Sequence, residues 1–133
     1  MPTPAAALDA YFAAVNEDRY ADAAALWADD GILIAPGIPI LRGAAVAGYF
    51  EAALAPYPEH HDEAVRTIVA GSTATVEIHV TAVTAGGYRL EFDAVDIFDF
   101  DDAGKILKMS SWYDSYAVRK QLAAAREAAG GGG

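Results

Sequence analysis

The chain has 133 residues, of which 54% are apolar, with a mean hydropathy of +0.18; that suits one domain with a sizeable core. A formal charge of −10 and a pI near 4.4 repel phosphate backbones and anionic lipids, so neither nucleic acid nor a membrane is an expected partner. There is no cysteine, which excludes disulfides, thiol nucleophiles and thiolate metal sites. No apolar run approaches the roughly 20 residues of a membrane span, and the first residues lack the basic segment of a secretory signal. A cytoplasmic location is the expectation.

Leu8, Tyr11, Phe12 and Val15 fall at i, i+3, i+4 and i+7, one face of a helix that ends at Asn16-Glu17-Asp18. A second helix is predicted with Tyr20, Ala23, Ala24 and Trp27 on one side, ending at Asp29-Asp30-Gly31. Ile32-Leu33-Ile34 reads as a short strand, followed by a loop through Pro36, Gly37 and Pro39. Arg42-Gly43 leads into a third helix carrying Val46, Tyr49, Phe50, Ala53 and Leu54, which Pro56 and Pro58 stop. Strands are predicted near 61–70, 73–84, 88–100 and 105–113, separated by the turn signals Gly71-Ser72, Gly86-Gly87 and Asp101–Gly104. The segment 115–129 reads as a last helix. Residues 130–133, all glycine, are expected to form a disordered tail to a single domain spanning 1–129. Helices first and a meander of long strands afterwards predict an α+β fold, with helices packed on one face of a curved antiparallel sheet.

Alternation then sorts the strand side chains. Along 88–100 one row is Tyr88, Leu90, Phe92, Ala94, Asp96, Phe98 and Phe100. The other is Arg89, Glu91, Asp93, Val95, Ile97 and Asp99. Asp96 is the only acid in the apolar row. A carboxylate there has to be paired or hydrogen-bonded, or else face a cavity with its pKa raised by desolvation; the row leaves both options open. Asp114, at the junction of the last strand and last helix, is either the N-cap of that helix or a carboxylate at one end of a cavity. Trp27, Tyr49, Phe50, Phe92, Phe98 and Trp112 are candidates to shape a pocket, or simply to fill the core. His79 lies on a polar row and reads as surface or interface. His60-His61-Asp62 lacks a third ligand at metal-site spacing, and no phosphate-cradling or nucleophile-elbow motif is present. Neither a metal nor a cofactor is expected.

The segments YFAAVNEDRYADAAALWADDGILIAP (11–36), RGAAVAGYF (42–50), DIFDFDDAGKILKMSSWYD (96–114) and YDSYAVRKQL (113–122) resemble the nuclear transport factor 2-like superfamily, which includes ketosteroid isomerases and SnoaL-like polyketide cyclases. The resemblance covers nearly the whole chain. It implies a cone-shaped, cystatin-like α+β barrel with a curved sheet, N-terminal helices on its concave face around a pocket, and a homodimer through the outer sheet face. In the isomerases a helical tyrosine and a protonated strand aspartic acid form an oxyanion hole; by resemblance these are Tyr11 and Asp96. The isomerase base position, before a proline, holds Ala35. The cyclases carry an acid–base aspartate where the last strand meets the last helix, which by resemblance is Asp114.

The combined expectation is an acid–base enzyme of isomerase or cyclase type for a small apolar ketone or polyketide-like molecule, with Asp114, Asp96 and Tyr11 as catalytic residues. Two other readings remain open: an epoxide hydrolase or hydratase, for which Arg66 and Arg89 are the available strand arginines, and a non-catalytic ligand-binding dimer.

Overall fold

The computed structural model describes residues 3–131. Helix α1 (Pro4–Asn16) begins at a strong start signal: Thr3 Oγ1 accepts from the Ala6 N–H at 3.1 Å and Pro4 occupies the first helical turn, where its missing N–H is no loss. The helix buries Leu8, Tyr11, Phe12 and Val15, the stripe its periodicity predicts. It closes with two reverse bonds, Arg19 N–H to Ala14 O at 2.8 Å and Asp18 N–H to Val15 O at 3.3 Å. Between them Asp18 holds a left-handed backbone, φ 58°, in the place that glycine usually takes.

Next come α2 (Tyr20–Ala25), β1 (Trp27–Ile34), β2 (Leu41–Arg42), α3 (Ala44–Leu54), β3 (Glu59–Ala70), β4 (Thr73–Val83), β5 (Arg89–Phe100), β6 (Ile106–Tyr113) and α4 (Ser115–Gly131). The strands form one curved, unclosed sheet in the order β2-β1-β6-β5-β4-β3. Register shifts interrupt the β1–β6, β3–β4 and β5–β6 ladders; bulges of this kind bend a sheet. The inner face of the sheet packs Val76, Ile78, Phe98 and Met109 with Leu8, Tyr11 and Phe12 of α1 and Val46 and Phe50 of α3. The fold is α+β, as the element order predicts.

Three local expectations need correction. The second helix stops at Ala25, and Trp27–Asp30 belong to β1. Gly31 is no helix terminator: a Cβ there would lie 2.8 Å from Trp27 Cε3 and 3.1 Å from Ala28 O, so the residue is small to let the Trp27 ring lie against the strand. The sheet is also not wholly antiparallel, since β1 runs parallel to β6. In β6, Asp99 pairs with Lys108 but Phe100 with Ile106. The skipped residue, Leu107, inverts the alternation, so Met109, Ser111 and Tyr113 turn inward and Trp112 outward.

Helix α4 continues to Gly131, so two of the four glycines expected as a tail are helical; 132–133 lie outside the described residues. Beyond the Ala94–Tyr113 pair β6 leaves β5 uncovered. There the Gln121 side chain takes over, accepting from the Glu91 N–H and donating to the Glu91 carbonyl, each at 2.9 Å. This seats α4 over the open end of the inner face. No helix among the described residues is long and apolar enough to cross a membrane.

Candidate functional site

The helices and the inner sheet face leave a cavity of about 230 Å³, somewhat smaller than the roughly 300–1,000 Å³ usual for ligand pockets. Its walls are mostly apolar. Tyr11 and Val15 come from α1, Tyr49, Phe50 and Leu54 from α3, Val80 from β4, Leu90 and Phe92 from β5, Met109 from β6 and Val118 from α4. The polar groups in the walls are Asp96, Asp62, His60, Ser111 and the phenols of Tyr11, Tyr49, Tyr57 and Tyr113.

Asp96 is 6% exposed and sits across from Val76 on β4 and Ser111 on β6. Its Oδ1 has no hydrogen-bond partner. Desolvation pushes its pKa from 3.8 up to about 7; the Ser111 hydroxyl works the other way, and the Asp62 charge adds a further rise. A carboxyl group that titrates there is able to give or take a proton at neutral pH.

Tyr11, 3% exposed, is held edge-on by Phe12, Phe50 and Phe98, with ring centroids 5.1, 5.8 and 5.4 Å away. Burial, and then the Asp96 charge, hold its pKa well above the ordinary value of 10.0, so it is a neutral donor. Its O–H points at Met109 Sδ, 3.4 Å away. A thioether is a weak acceptor, so a ligand oxygen offers this donor a better partner. Tyr49, Tyr57 and Tyr113 also have pKa values raised first by burial, and remain neutral.

Asp62 is a second acid of the wall. Burial raises its pKa, partly offset by the neighbouring His60 and His61. Its backbone is gripped from both directions by the Asn16 side chain at the end of α1. Sequence reading missed Tyr57, Tyr113 and Ser111 and weighed His60 and Asp62 only as metal ligands. The available signal was parity: His60 and Asp62 share a row at the start of β3, opposite Ala82 and Val80. Among the described residues no three His, Cys, Asp or Glu side chains gather as metal ligands.

Of the residues expected to line a pocket, Asp96, Tyr11, Tyr49, Phe50 and Phe92 do so. Asp114 does not. It is exposed, and its Oδ1 accepts from the Ala117 N–H at 3.0 Å, so it caps α4. Trp27 is buried beneath α3, 6.1 Å from the Phe50 ring centroid, and borders a separate surface crevice. Phe98 is fully buried behind Tyr11. Trp112 is 54% exposed on the outer face, because the bulge at Leu107 inverts the alternation of β6. Ala35 does border the cavity. Arg66 and Arg89 lie on the outer face, paired with Glu77 and Glu91, and His79 bonds Asp93 and Glu91 there at 2.7 and 2.6 Å, as its polar row predicts.

A curved sheet and helices around an apolar cavity with ionisable walls define the nuclear transport factor 2-like class of small pocket domains. Within that class, the profile of the SnoaL-like domain matches residues 8–109, and the chain belongs to that family. Three solved structures show the same fold. An LEH-like epoxide hydrolase from M. tuberculosis is 20% identical over 89% of this chain and 87% of its own, with a TM-score of 0.74. A protein from Shewanella denitrificans described as a SnoaL-like polyketide cyclase is 12% identical over 93% and 99%, with a TM-score of 0.81. A protein of ketosteroid isomerase-like fold from Catenulispora acidiphila, in complex with trimethylamine, is 18% identical over 86% and 90%, with a TM-score of 0.78. No curated protein matches the sequence.

Proposed function

We propose that this protein is an acid–base enzyme of isomerase or cyclase type that moves a proton beside the carbonyl of a small apolar ketone or polyketide-like molecule. The observation that carries the reading is the unpartnered Asp96 Oδ1 in an apolar cavity wall that also holds a Tyr11 hydroxyl with only a sulfur for a partner. In this mechanism Tyr11 and protonated Asp96 donate to the substrate oxygen as it gains enolate charge. One such donor is worth about 10²–10³-fold in rate. With Asp114 outside the cavity and Ala35 unable to act, Asp62 is the carboxylate left to take the proton. The small cavity favours a substrate of one or two rings.

The coupling of Asp62 to Asp96 favours one second reading, activation of a water for addition to an epoxide or a double bond. Against it, Arg66 and Arg89 face outward, paired with Glu77 and Glu91, and among the described residues no arginine or lysine lines the cavity. The exposed Trp112 and Val65 on the outer face, 54% and 62% accessible, support a homodimer formed there, which sedimentation would reveal as a doubled mass. A cytoplasmic location belongs to the same proposal.

The test is proton exchange in D₂O on a panel of cyclic enones and 1,3-diketones, followed by proton NMR. The wild type should wash out the protons next to the carbonyl, and Asp96→Asn and Tyr11→Phe should each slow this at least tenfold. No exchange on any panel member, together with an Asp96 carboxyl that titrates near 4, would remove the basis of the reading and leave a ligand-binding domain.

A further inference from the structure

His60 lies in the cavity wall with its side chain only 5% exposed. Its two ring nitrogens have opposite fates. Nε2 lies 2.5 Å from Asp18 Oδ1, while Nδ1 is buried and has no partner. A carboxylate can only accept, so the proton of the neutral ring resides on Nε2 and a bare lone pair resides on Nδ1. The two nitrogens sit on nearly opposite flanks of the ring. With Nε2 turned to Asp18, which is 56% exposed, Nδ1 lies on the other side of the ring, where it is buried.

Asp18 is built for this contact. It stands at the helix-closing position where glycine is favoured, and keeps a left-handed backbone, φ 58°, despite its side chain. The same Oδ1 that faces His60 accepts the Tyr20 hydroxyl at 2.7 Å. Both bonds draw its pKa below the ordinary value, Tyr20 more than His60, so it is a fixed anion. Backbone strain of this kind is kept where the side chain has a task.

We propose that His60, oriented by Asp18, is a second proton-accepting group of the cavity, with Nδ1 as the acceptor atom. This rests on the acid–base reading of the cavity and supplies it with a second proton-transfer group. A reaction that removes a proton from one atom and returns one to another then has separate groups for the two transfers, Asp62 and His60. Asp18 acts through His60 and is a positioning residue.

A substrate-independent probe reads this directly. In 5-nitrobenzisoxazole a base takes the ring C–H proton, those electrons form a nitrile, and the N–O bond breaks to release a coloured phenolate; the proton ends on the base. The wild type should accelerate this elimination, and His60→Gln should reduce kcat/KM at least tenfold. Asp18→Asn keeps an acceptor for Nε2–H but loses the charge, and Asp18→Gly loses both while relieving the backbone. Their rates should fall in that order, with a melting temperature for Asp18→Gly no lower than that of Asp18→Asn. Long-range proton–nitrogen NMR should show the His60 proton on Nε2 in the wild type, and a mixture of tautomers in Asp18→Gly. A wild type without probe turnover, a His60→Gln enzyme as fast as the wild type, or a proton found on Nδ1 would each overturn the proposal. His60→Gln at wild-type speed alongside an inactive Asp96→Asn would do so while leaving the Asp96 reading in place.

Discussion

Asn16 grips the backbone of Asp62 from both sides: its amide oxygen accepts the Asp62 N–H at 2.8 Å and its amide nitrogen donates to the Asp62 carbonyl at 2.9 Å. The last residue of α1 thereby imitates a strand neighbour, 46 positions away in sequence, at the edge where β3 has no further strand. The same device recurs at the other end of the inner face, where Gln121 grips Glu91. Two primary amides therefore tie α1 and α4 to the sheet on either side of the cavity.

Replacing Asn16 with Ala should leave the Asp62 N–H and carbonyl to water or to nothing. The cost expected for orphaned, partly buried backbone groups is about 1–3 kcal/mol. Urea unfolding should show this as a lower midpoint with an unchanged slope. Because Asp62 would then be free to move toward solvent, its carboxyl pKa should fall back toward its ordinary value. An unchanged titration of Asp62 would mean that the clamp is purely structural.

Asp96 makes stability depend on pH in an unusual direction. The unfolded chain releases this proton near 3.8 and the folded protein near 7. Between those values the folded state holds the extra proton, so stability is fully present at the acid end and declines as pH rises to about 7. The decline is on the order of 4 kcal/mol. Asp96→Asn removes most of this slope, and Asp62, raised in the same direction, keeps a part. At pH 8 the Asn variant should therefore melt above the wild type while losing proton exchange. Groups kept for function at the expense of stability behave in this way. A wild type more stable at pH 8 than at pH 5 would contradict the buried, protonated state of Asp96.

Asp96 was legible in the sequence because β5 is unbroken there: strict alternation along the strand puts one acid into a row of Leu90, Phe92, Ala94, Phe98 and Phe100. Trp112 was a pocket or core candidate as a large aromatic, and the bulge at Leu107 in β6 places it on the outer face instead. Alternation failed for Asp62. Only the first residues of β3 cover the cavity and the rest of that strand is exposed, so no apolar row made the acid stand out. Trp27 was misread because Tyr20, Ala23, Ala24 and Trp27 continue a helical spacing. Its true partner in the parallel ladder is Ile106, far along the chain. Asp114 carried two roles that a sequence cannot separate, and the helix-capping one is the one its geometry shows.

Gly31→Ala tests the corrected reading of β1. The added methyl would meet the Trp27 ring at 2.8 Å, and the ring has little room to retreat because it is itself buried against Phe50. Overpacking of this kind costs roughly 1–3 kcal/mol. The loss should appear in thermal melts and as a change in Trp27 fluorescence, with the titration of Asp96 unaffected. A helix-terminating Gly31 would predict a milder effect, with no optical change at Trp27.

Asp114→Ala separates capping from chemistry. The side chain holds the Ala117 N–H and places a negative charge at the start of α4, where the helix dipole favours it. Its removal should lower stability by about 1 kcal/mol. Because Asp114 is outside the cavity wall, the folded fraction should exchange enone protons and turn over 5-nitrobenzisoxazole at the wild-type rate. Asp114→Asn, which retains a capping oxygen, should recover most of the stability and also keep the rate. A hundredfold slower exchange in both variants, at temperatures where both are folded, would instead require Asp114 to reach the reacting atoms, and neither Asp62 nor His60 would then be needed as the proton acceptor.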